Sequence, residues 1–268
     1  MRLVCKRLMQ VVESCATRLT NQQYNGPESL PLALRRCMRI EHIRSYSRNL
    51  RSLEGCPNGL KSLYIDGSSL QSLEPLNGCT ELESLVISNP CRISDLSPLA
   101  SCTRIKKLTI ILSQVTDISA LSSMPLLEEV DLGKNVHYPS IKDLSPLIQC
   151  KRLRVLDIGG NQDIEDISPL TQCSQLEELL MWGLTKITDL KPLSSLIKLK
   201  KLGIGNVPVE DLTPLSALQG LEELRCYYIP LTTSLLPLER CSKLRTLYCY
   251  SSAKDYAMLR ERRPDIES

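Results

Sequence analysis

The chain has no phenylalanine, one tryptophan and two histidines in 268 residues. With His42 and His137 as the whole histidine supply, a zinc centre or a nucleophile–histidine–acid triad has almost no material. No apolar run reaches the ~18 residues that a membrane-spanning helix needs. Glycine-rich nonapeptides of the kind that build calcium-binding coils are also missing. A formal charge of +3 is too small to name a partner. These shortages point away from an enzyme, and no cofactor, metal or small-molecule substrate is expected.

What the chain does have is one phrase, apolar-x-x-apolar-x-apolar, written nine times between Leu60 and Cys249 at intervals of 22 to 26 residues. Leu60/Leu63/Ile65, Leu153/Leu156/Ile158 and Leu199/Leu202/Ile204 are examples, and Ile40/Ile43 is a degenerate earlier copy. A period of that length, ending in two alternating apolar residues, predicts one short parallel strand per coil of a solenoid. A second signature follows each strand, as in Asp95-Leu-Ser-Pro-Leu99, Asp143-Leu-Ser-Pro-Leu147 and Asp166-Ile-Ser-Pro-Leu170. Ser or Thr before Pro predicts a short helical turn with the hydroxyl at the N-cap and Pro at the first helical position. The recurring aspartates are expected to accept backbone N–H bonds inside each turn.

Twelve cysteines invite a disulfide or zinc reading, which their register opposes. Cys56, Cys79, Cys102, Cys150, Cys173 and Cys241 precede a strand phrase where other coils have Met124, Leu196 and Leu218. Cys226 and Cys249 replace the last apolar residue of the strand. Thiols interchangeable with Leu and Met are buried hydrophobes, which fits a reducing compartment and an intracellular, cytoplasmic or cytoskeletal location.

The segment MRLVCKRLMQVVESCATRL puts Val4, Leu8, Val11, Val12, Cys15 and Leu19 on one helical face. A helix capping the open end of the solenoid is expected there, with a mitochondrial presequence as the alternative, against which Glu13 counts. The organisation predicted is a capping helix and linker over 1–33, a solenoid over 34–252 and a C-terminal cap over 253–268. In that cap Tyr256, Met258 and Leu259 are expected on a helix that stops before Pro264.

The combination LxxLxI with I-x-D-[LI]-S-P-L resembles leucine-rich repeats of the short internalin and phosphatase-regulator type. The cysteine three residues before the strand, as in LASCTRIKKLTI, is most similar to repeat proteins of trypanosomatid protozoa. The resemblance implies an α/β solenoid, a leucine-rich repeat arc with about ten parallel strands on the concave face and short helical or 3-10 turns on the convex face. Two departures stand out: the asparagine ladder survives only at Asn135 and Asn161, and the phenylalanine spine is absent.

Function is then sought on the surface. The second residues of the nine phrases alternate in sign, Lys61, Glu83, Lys106, Glu128, Arg154, Glu177, Lys200, Glu222 and Arg245, and are expected to form a structural ionic ladder. Outward-facing strand positions hold Tyr46, Tyr64, Trp182, Tyr227, Tyr248 and Tyr250, six of the chain's ten aromatic residues. Trp182, Arg225, Tyr227, Tyr228, Tyr248 and Tyr250 form the first candidate for a protein-binding site. Gly133, Gly159, Gly203 and Gly205 are expected to leave a low floor that a partner backbone can approach. The extended loop around His137 and Tyr138 is a candidate recognition edge.

Charge is uneven along the chain. Residues 1–63 carry eleven Lys and Arg against four Asp and Glu, a net of +7, which leaves −4 for the rest of a chain totalling +3. Arg35, Arg36, Arg39, Arg44, Arg48 and Arg51 make a possible patch for an anionic partner. The expected function is a non-enzymatic scaffold or adaptor in a larger intracellular assembly, cytoskeletal or flagellar. A ribonucleoprotein component contacting RNA through the arginines is one alternative, and an accessory or substrate-receptor subunit of a ubiquitin ligase or phosphatase is another.

Overall fold

The computed structural model describes residues 18–21, 40–46, 50–66, 69–88, 91–133, 139–250 and 252–267. Eleven strands form one sheet in chain order, and every neighbouring pair is parallel. They are β1 (Arg18–Asn21), β2 (His42–Ser45), β3 (Ser62–Ile65), β4 (Ser84–Ile87), β5 (Lys107–Ile110), β6 (Glu129–Asp131), β7 (Val155–Asp157), β8 (Glu178–Leu180), β9 (Lys201–Gly203), β10 (Glu223–Arg225) and β11 (Thr246–Tyr248). A 3-10 turn follows each strand from β3 to β10, and α1 (Tyr256–Arg262) closes the C-terminal end.

The apolar phrases sit where their period puts them. Leu63, Leu85, Leu108, Val130, Leu156, Leu179, Leu202, Leu224 and Leu247 occupy matching ladder positions and are at most 1 % exposed. The leucines of the second signature, from Leu76 to Leu238, close the core from the convex side. Every fully buried apolar side chain among the described residues is aliphatic or sulfur-containing, with Tyr256 of the closing helix packed, partly buried, against that core.

The cysteines do more than fill space. Cys102, Cys150, Cys173 and Cys241 each direct Sγ at a carbonyl of the preceding coil, those of Leu76, Leu121, Leu147 and Leu215, at 3.3 to 3.6 Å. Those carbonyls already accept a backbone N–H from their own 3-10 turn. A thiol is a weak donor, so the bond adds direction to a contact held mainly by burial.

The turns are tied differently from the sequence expectation. Ser97, Ser145, Ser168 and Thr213 are not N-caps, for the 3-10 turn starts on them and the residue before each is Leu or Ile. The aspartate two residues earlier caps instead. Asp95, Asp117, Asp143, Asp166, Asp189 and Asp211 accept the N–H of the turn's first residue at 2.7 to 2.8 Å. Ser72 and Ser234 substitute for aspartate in the first and last turns. The expected N–H acceptance by these carboxylates is therefore present, and the serine hydroxyls of Ser97, Ser145 and Ser168 donate to them.

The ends depart from expectation too. Arg18–Asn21, inside the segment read as cap and linker, is a strand paired with His42–Ser45. It lacks the apolar phrase, so periodicity could not reveal it. The capping-helix residues before Arg18 and the His137–Tyr138 loop lie outside the described residues. At the other end Leu259 is buried as expected, whereas Met258 is 41 % exposed. Arg263 donates to the carbonyls of Glu239, Cys241 and Leu244, satisfying acceptors that have no further coil above them.

The ionic ladder forms in part, through Glu83–Lys106 and through Glu177 with Arg154 and Lys200, and contacts beyond the nine phrases join it at both ends. Lys61 pairs with Glu41, Lys106 with Glu83, and Arg245 with Asp265. Glu177 takes Arg154 at 2.8 Å and Lys200 at 2.7 Å, and those hydrogen bonds hold its carboxyl down at about 2.

Two predictions follow from this packing. Leu156→Ala removes a fully buried side chain with no room to collapse, and a loss of about 2–5 kcal/mol is expected in denaturant unfolding. Leu231→Ala, at an exposed site, serves as the control and should stay within about 0.5 kcal/mol. For Glu177 the folded pKa lies below the ordinary value of 4.5, so its contribution is full above that value and is lost as pH falls towards about 2. The stability gap between wild type and Glu177→Gln should therefore be constant near neutrality and close between about pH 5 and 2 in thermal melts; a gap independent of pH would remove the ladder's role at this position.

Candidate functional site: the inner curve

Alternation along each strand leaves two rows of side chains on the concave face. The central row runs Arg44, Tyr64, Val86, Thr109, Asp131, Asp157, Leu180, Gly203, Arg225 and Tyr248, as the strand register requires. Two residues further along each strand lies the second row, which includes Tyr46, Trp182, Tyr227 and Tyr250.

At the C-terminal end the structure gathers five of the six candidate residues. Arg225 stands opposite Tyr248 in the ladder, with its guanidinium carbon 5.4 Å from that ring's centroid. Glu223 holds the same guanidinium at 2.6 Å. Tyr227 packs against Tyr248 and Tyr250 at centroid distances of 6.1 and 5.8 Å, and Tyr228 meets Tyr250 edge-on at 5.2 Å. A hydrogen bond with Tyr228 pushes the Tyr250 phenol up to about 12. Tyr248 is half-buried and the other three rings are open to solvent. Tyr227 and Tyr250 are each 38 % exposed and Tyr228 is 69 % exposed.

Tyr228 occupies the left-handed backbone region, with φ of 62°. The same place in the three preceding coils is filled by Gly160, Gly183 and Asn206, residue types that accept such a backbone readily. A tyrosine there costs about 1–2 kcal/mol relative to glycine-like ease. The fold needs the bend and not the ring, so the ring is the feature that packing leaves unexplained.

Trp182 stands apart. Its indole lies across Gly159 of the preceding coil, so closely that a Cβ on that glycine would fall 2.1 Å from Nε1. Asp157 covers Gly133 and Leu180 leans on Gly203 in the same manner. The low floor expected over four glycines is thus occupied by the chain's own side chains at three of them. Gly205, between Trp182 and Tyr227, remains half-exposed.

The N-terminal end carries a second station that the sequence reading did not assemble. Arg44 stands opposite Tyr64 in the ladder, 4.6 Å from its ring and 5.5 Å from that of Tyr46, and the rings are 5.7 Å apart. The pattern is that of the other end: Arg at the centre of one strand, Tyr two residues on, Tyr facing the Arg from the next strand. Arg44, expected both at an outward-facing strand position and in a basic patch, is on the inner curve. Arg51 is exposed, and Arg35, Arg36, Arg39 and Arg48 lie outside the described residues. Eight strand spacings of ~4.8 Å put ~38 Å of sheet between the two stations.

Among the described residues no three His, Cys, Asp or Glu side chains are placed to hold a metal ion, and no helix is long and apolar enough to cross a membrane. The inner curve presents aromatic faces, the cations Arg44 and Arg225, and two carboxylates in the middle, Asp131 and Asp157, which accept the N–H of Gly133 and Gly159.

Comparison with known proteins agrees on architecture. An internalin, InlF, of Listeria monocytogenes superposes with a TM-score of 0.68 at 21% identity, covering 92% of this chain and 81% of its own. Internalin C2 of the same organism gives 0.65 at 27% identity over 72% and 82%. A leucine-rich repeat protein of Leptospira interrogans gives 0.67 at 16% identity over 88% and 67%. This chain is a leucine-rich repeat solenoid. No protein-family model and no curated protein sequence matches it.

The lone tryptophan reports on the glycine beneath it. Gly159→Ala should force the indole off its seat, red-shifting Trp182 emission and raising its quenching by acrylamide while far-ultraviolet dichroism is retained. Unchanged emission would mean that the ring does not rest on Gly159 in solution.

Proposed function

We propose that the chain is a non-enzymatic protein-interaction scaffold or adaptor whose partner lies along the inner curve and is gripped at the two Arg–Tyr stations. The observation that carries this reading is the repetition of one constellation at both ends of a face whose interior needs no aromatic residue. Exposed Tyr, Trp and Arg are the side chains that most often anchor interfaces, because they bury large area at low entropic cost. Solenoids of this architecture present such a curved surface to protein partners. The cysteines buried in register support an intracellular setting, within a larger assembly of cytoskeletal or flagellar kind, and support kinship with the cysteine-containing repeat proteins of trypanosomatids.

A second reading has its own observation. Tyr64 joins Tyr46 around Arg44, so the basic N-terminal end offers two ring faces beside a cation, the material with which single-stranded RNA is stacked. RNA held there would dissociate steeply with salt, whereas a protein gripped by the C-terminal tyrosines would not.

The test addresses the C-terminal station. In affinity purification from native cells, Tyr227→Ala with Arg225→Ala should lose partners retained by wild type, and Trp182→Ala should weaken the same set by about 1–2 kcal/mol, a five- to thirty-fold loss of affinity. An unchanged set of partners in the double variant would remove the C-terminal station from the interface.

A further inference from the structure

Cys79, Cys102, Cys150, Cys173 and Cys241 are buried, and each directs its thiol to a carbonyl of the preceding coil. Burial pushes Cys79, Cys173 and Cys241 up to about 11 and Cys150 to about 12. Thiols held in that form are poor nucleophiles.

Cys226 and Cys249 are placed otherwise. They take the third apolar position of consecutive strand phrases, just beyond the Arg225–Tyr248 pair, and the Cys226 N–H donates to the Tyr248 carbonyl at 2.8 Å, carrying the ladder onto them. Neighbouring parallel strands are ~4.8 Å apart, within the ~4.4–6.8 Å between Cα atoms that a disulfide spans. The two thiols are close enough for each to shift the titration of the other. Cys226 is 1 % exposed, whereas Cys249 is partly open.

A third group completes the site. On α1, the Nη1 of Arg260 is buried with no acceptor, and the field of this guanidinium acts on Cys249. An unpaired buried guanidinium nitrogen is costly, and a negative charge on the neighbouring sulfur answers it. The hydrogen bond from Cys226, with the field of Arg260, holds the Cys249 thiol below its ordinary range, while its partner is pushed above.

We propose that Cys249 and Cys226 form a thiol–disulfide exchange site, with Cys249 as the attacking thiolate, Cys226 as the resolving thiol and a small-molecule disulfide as the co-reactant. The Cys249 thiolate attacks one sulfur of the disulfide RSSR, whose S–S bond breaks as RS⁻ departs and a mixed disulfide forms on Cys249. Cys226 then loses its proton and attacks the Cys249 sulfur, expelling the second RS⁻ and closing the Cys226–Cys249 bond. Two cysteines are oxidised and one RSSR is reduced to two RSH, which take up the two protons released.

The test uses the reduced full chain, native, at neutral pH. Under iodoacetamide, peptide mapping should show Cys249 alkylated at least about tenfold faster than Cys173, and Arg260→Gln should narrow that ratio. Under oxidised glutathione, wild type should give a Cys226–Cys249 disulfide with Cys102, Cys150 and Cys173 still reduced. Cys226→Ser should instead stop with one glutathione on Cys249, the species that a merely accessible cysteine with no resolving partner would already give in wild type. Because each site is read separately, Cys5, Cys15 and Cys37 do not enter the comparison. Equal alkylation rates at Cys249 and Cys173 in wild type, which needs no variant to fold, would overturn the proposal. So would a wild-type chain that keeps glutathione on Cys249 without closing the bond.

Discussion

Burial of each coil's aliphatic side chains depends on the coil above and the coil below, and that mutual dependence sets the position of every other feature. One strand and one 3-10 turn enclose four or five apolar groups on a single layer; water leaves only when the next layer arrives. Each large side chain so covered contributes about 1.5–3 kcal/mol, against the entropy of ordering its coil. Register is consequently strict. Sliding one strand by a residue would turn Leu156 outward and Asp157 inward, so the ladder that places the core also places the inner curve.

That constraint explains why the surface can be read for function. Among the described residues the fully buried interior is closed by aliphatic side chains, Met and Cys, and none of the inner-curve rings is part of it. Tyr228 sits on a left-handed backbone that Gly160, Gly183 and Asn206 fill in the three preceding coils and Leu112 fills in an earlier one. Charges are partitioned by the same geometry. Along the alternating column, pairs such as Lys106–Glu83 and Arg154–Glu177 neutralise each other between coils. Exposed pairs of this kind contribute about 0–1 kcal/mol, too little to hold the stack, but enough to keep like charges from being stacked together.

Much of this was legible in the chain because a repeat states the same physics nine times. The phrase Leu153/Leu156/Ile158 is weak alone and decisive in series. Asp166 could be assigned to its turn for the same reason, although Ser168 was given the cap, since Ser-Pro looks identical whether the hydroxyl accepts from the turn or donates to the aspartate. Features stated once were lost. Arg18–Asn21 has no apolar phrase, so its pairing with β2 left no trace. The seating of Trp182 on Gly159 needs the lean of a side chain along the sheet, which spacing does not encode. Arg44 and Tyr64 could be placed on successive strands of one row, but the packing of the guanidinium between the Tyr46 and Tyr64 rings depends on rotamers that spacing does not encode.

The cysteines show how far residue type falls short of chemistry in such a stack. Cys173 and Cys249 both belong to recurring apolar columns, and composition cannot tell them apart. What separates them is the acceptor. A thiol facing the carbonyl of the coil below, as Cys173 faces Leu147, keeps its proton, because the carbonyl favours the donor form and burial disfavours the anion. Cys249 belongs to another column, at the last apolar position of the strand, where the closing helix brings the guanidinium of Arg260, while Cys241 in the same coil still faces the Leu215 carbonyl. The end of a solenoid is therefore where a side chain that is inert in mid-stack acquires a different environment without any change in the repeat that places it.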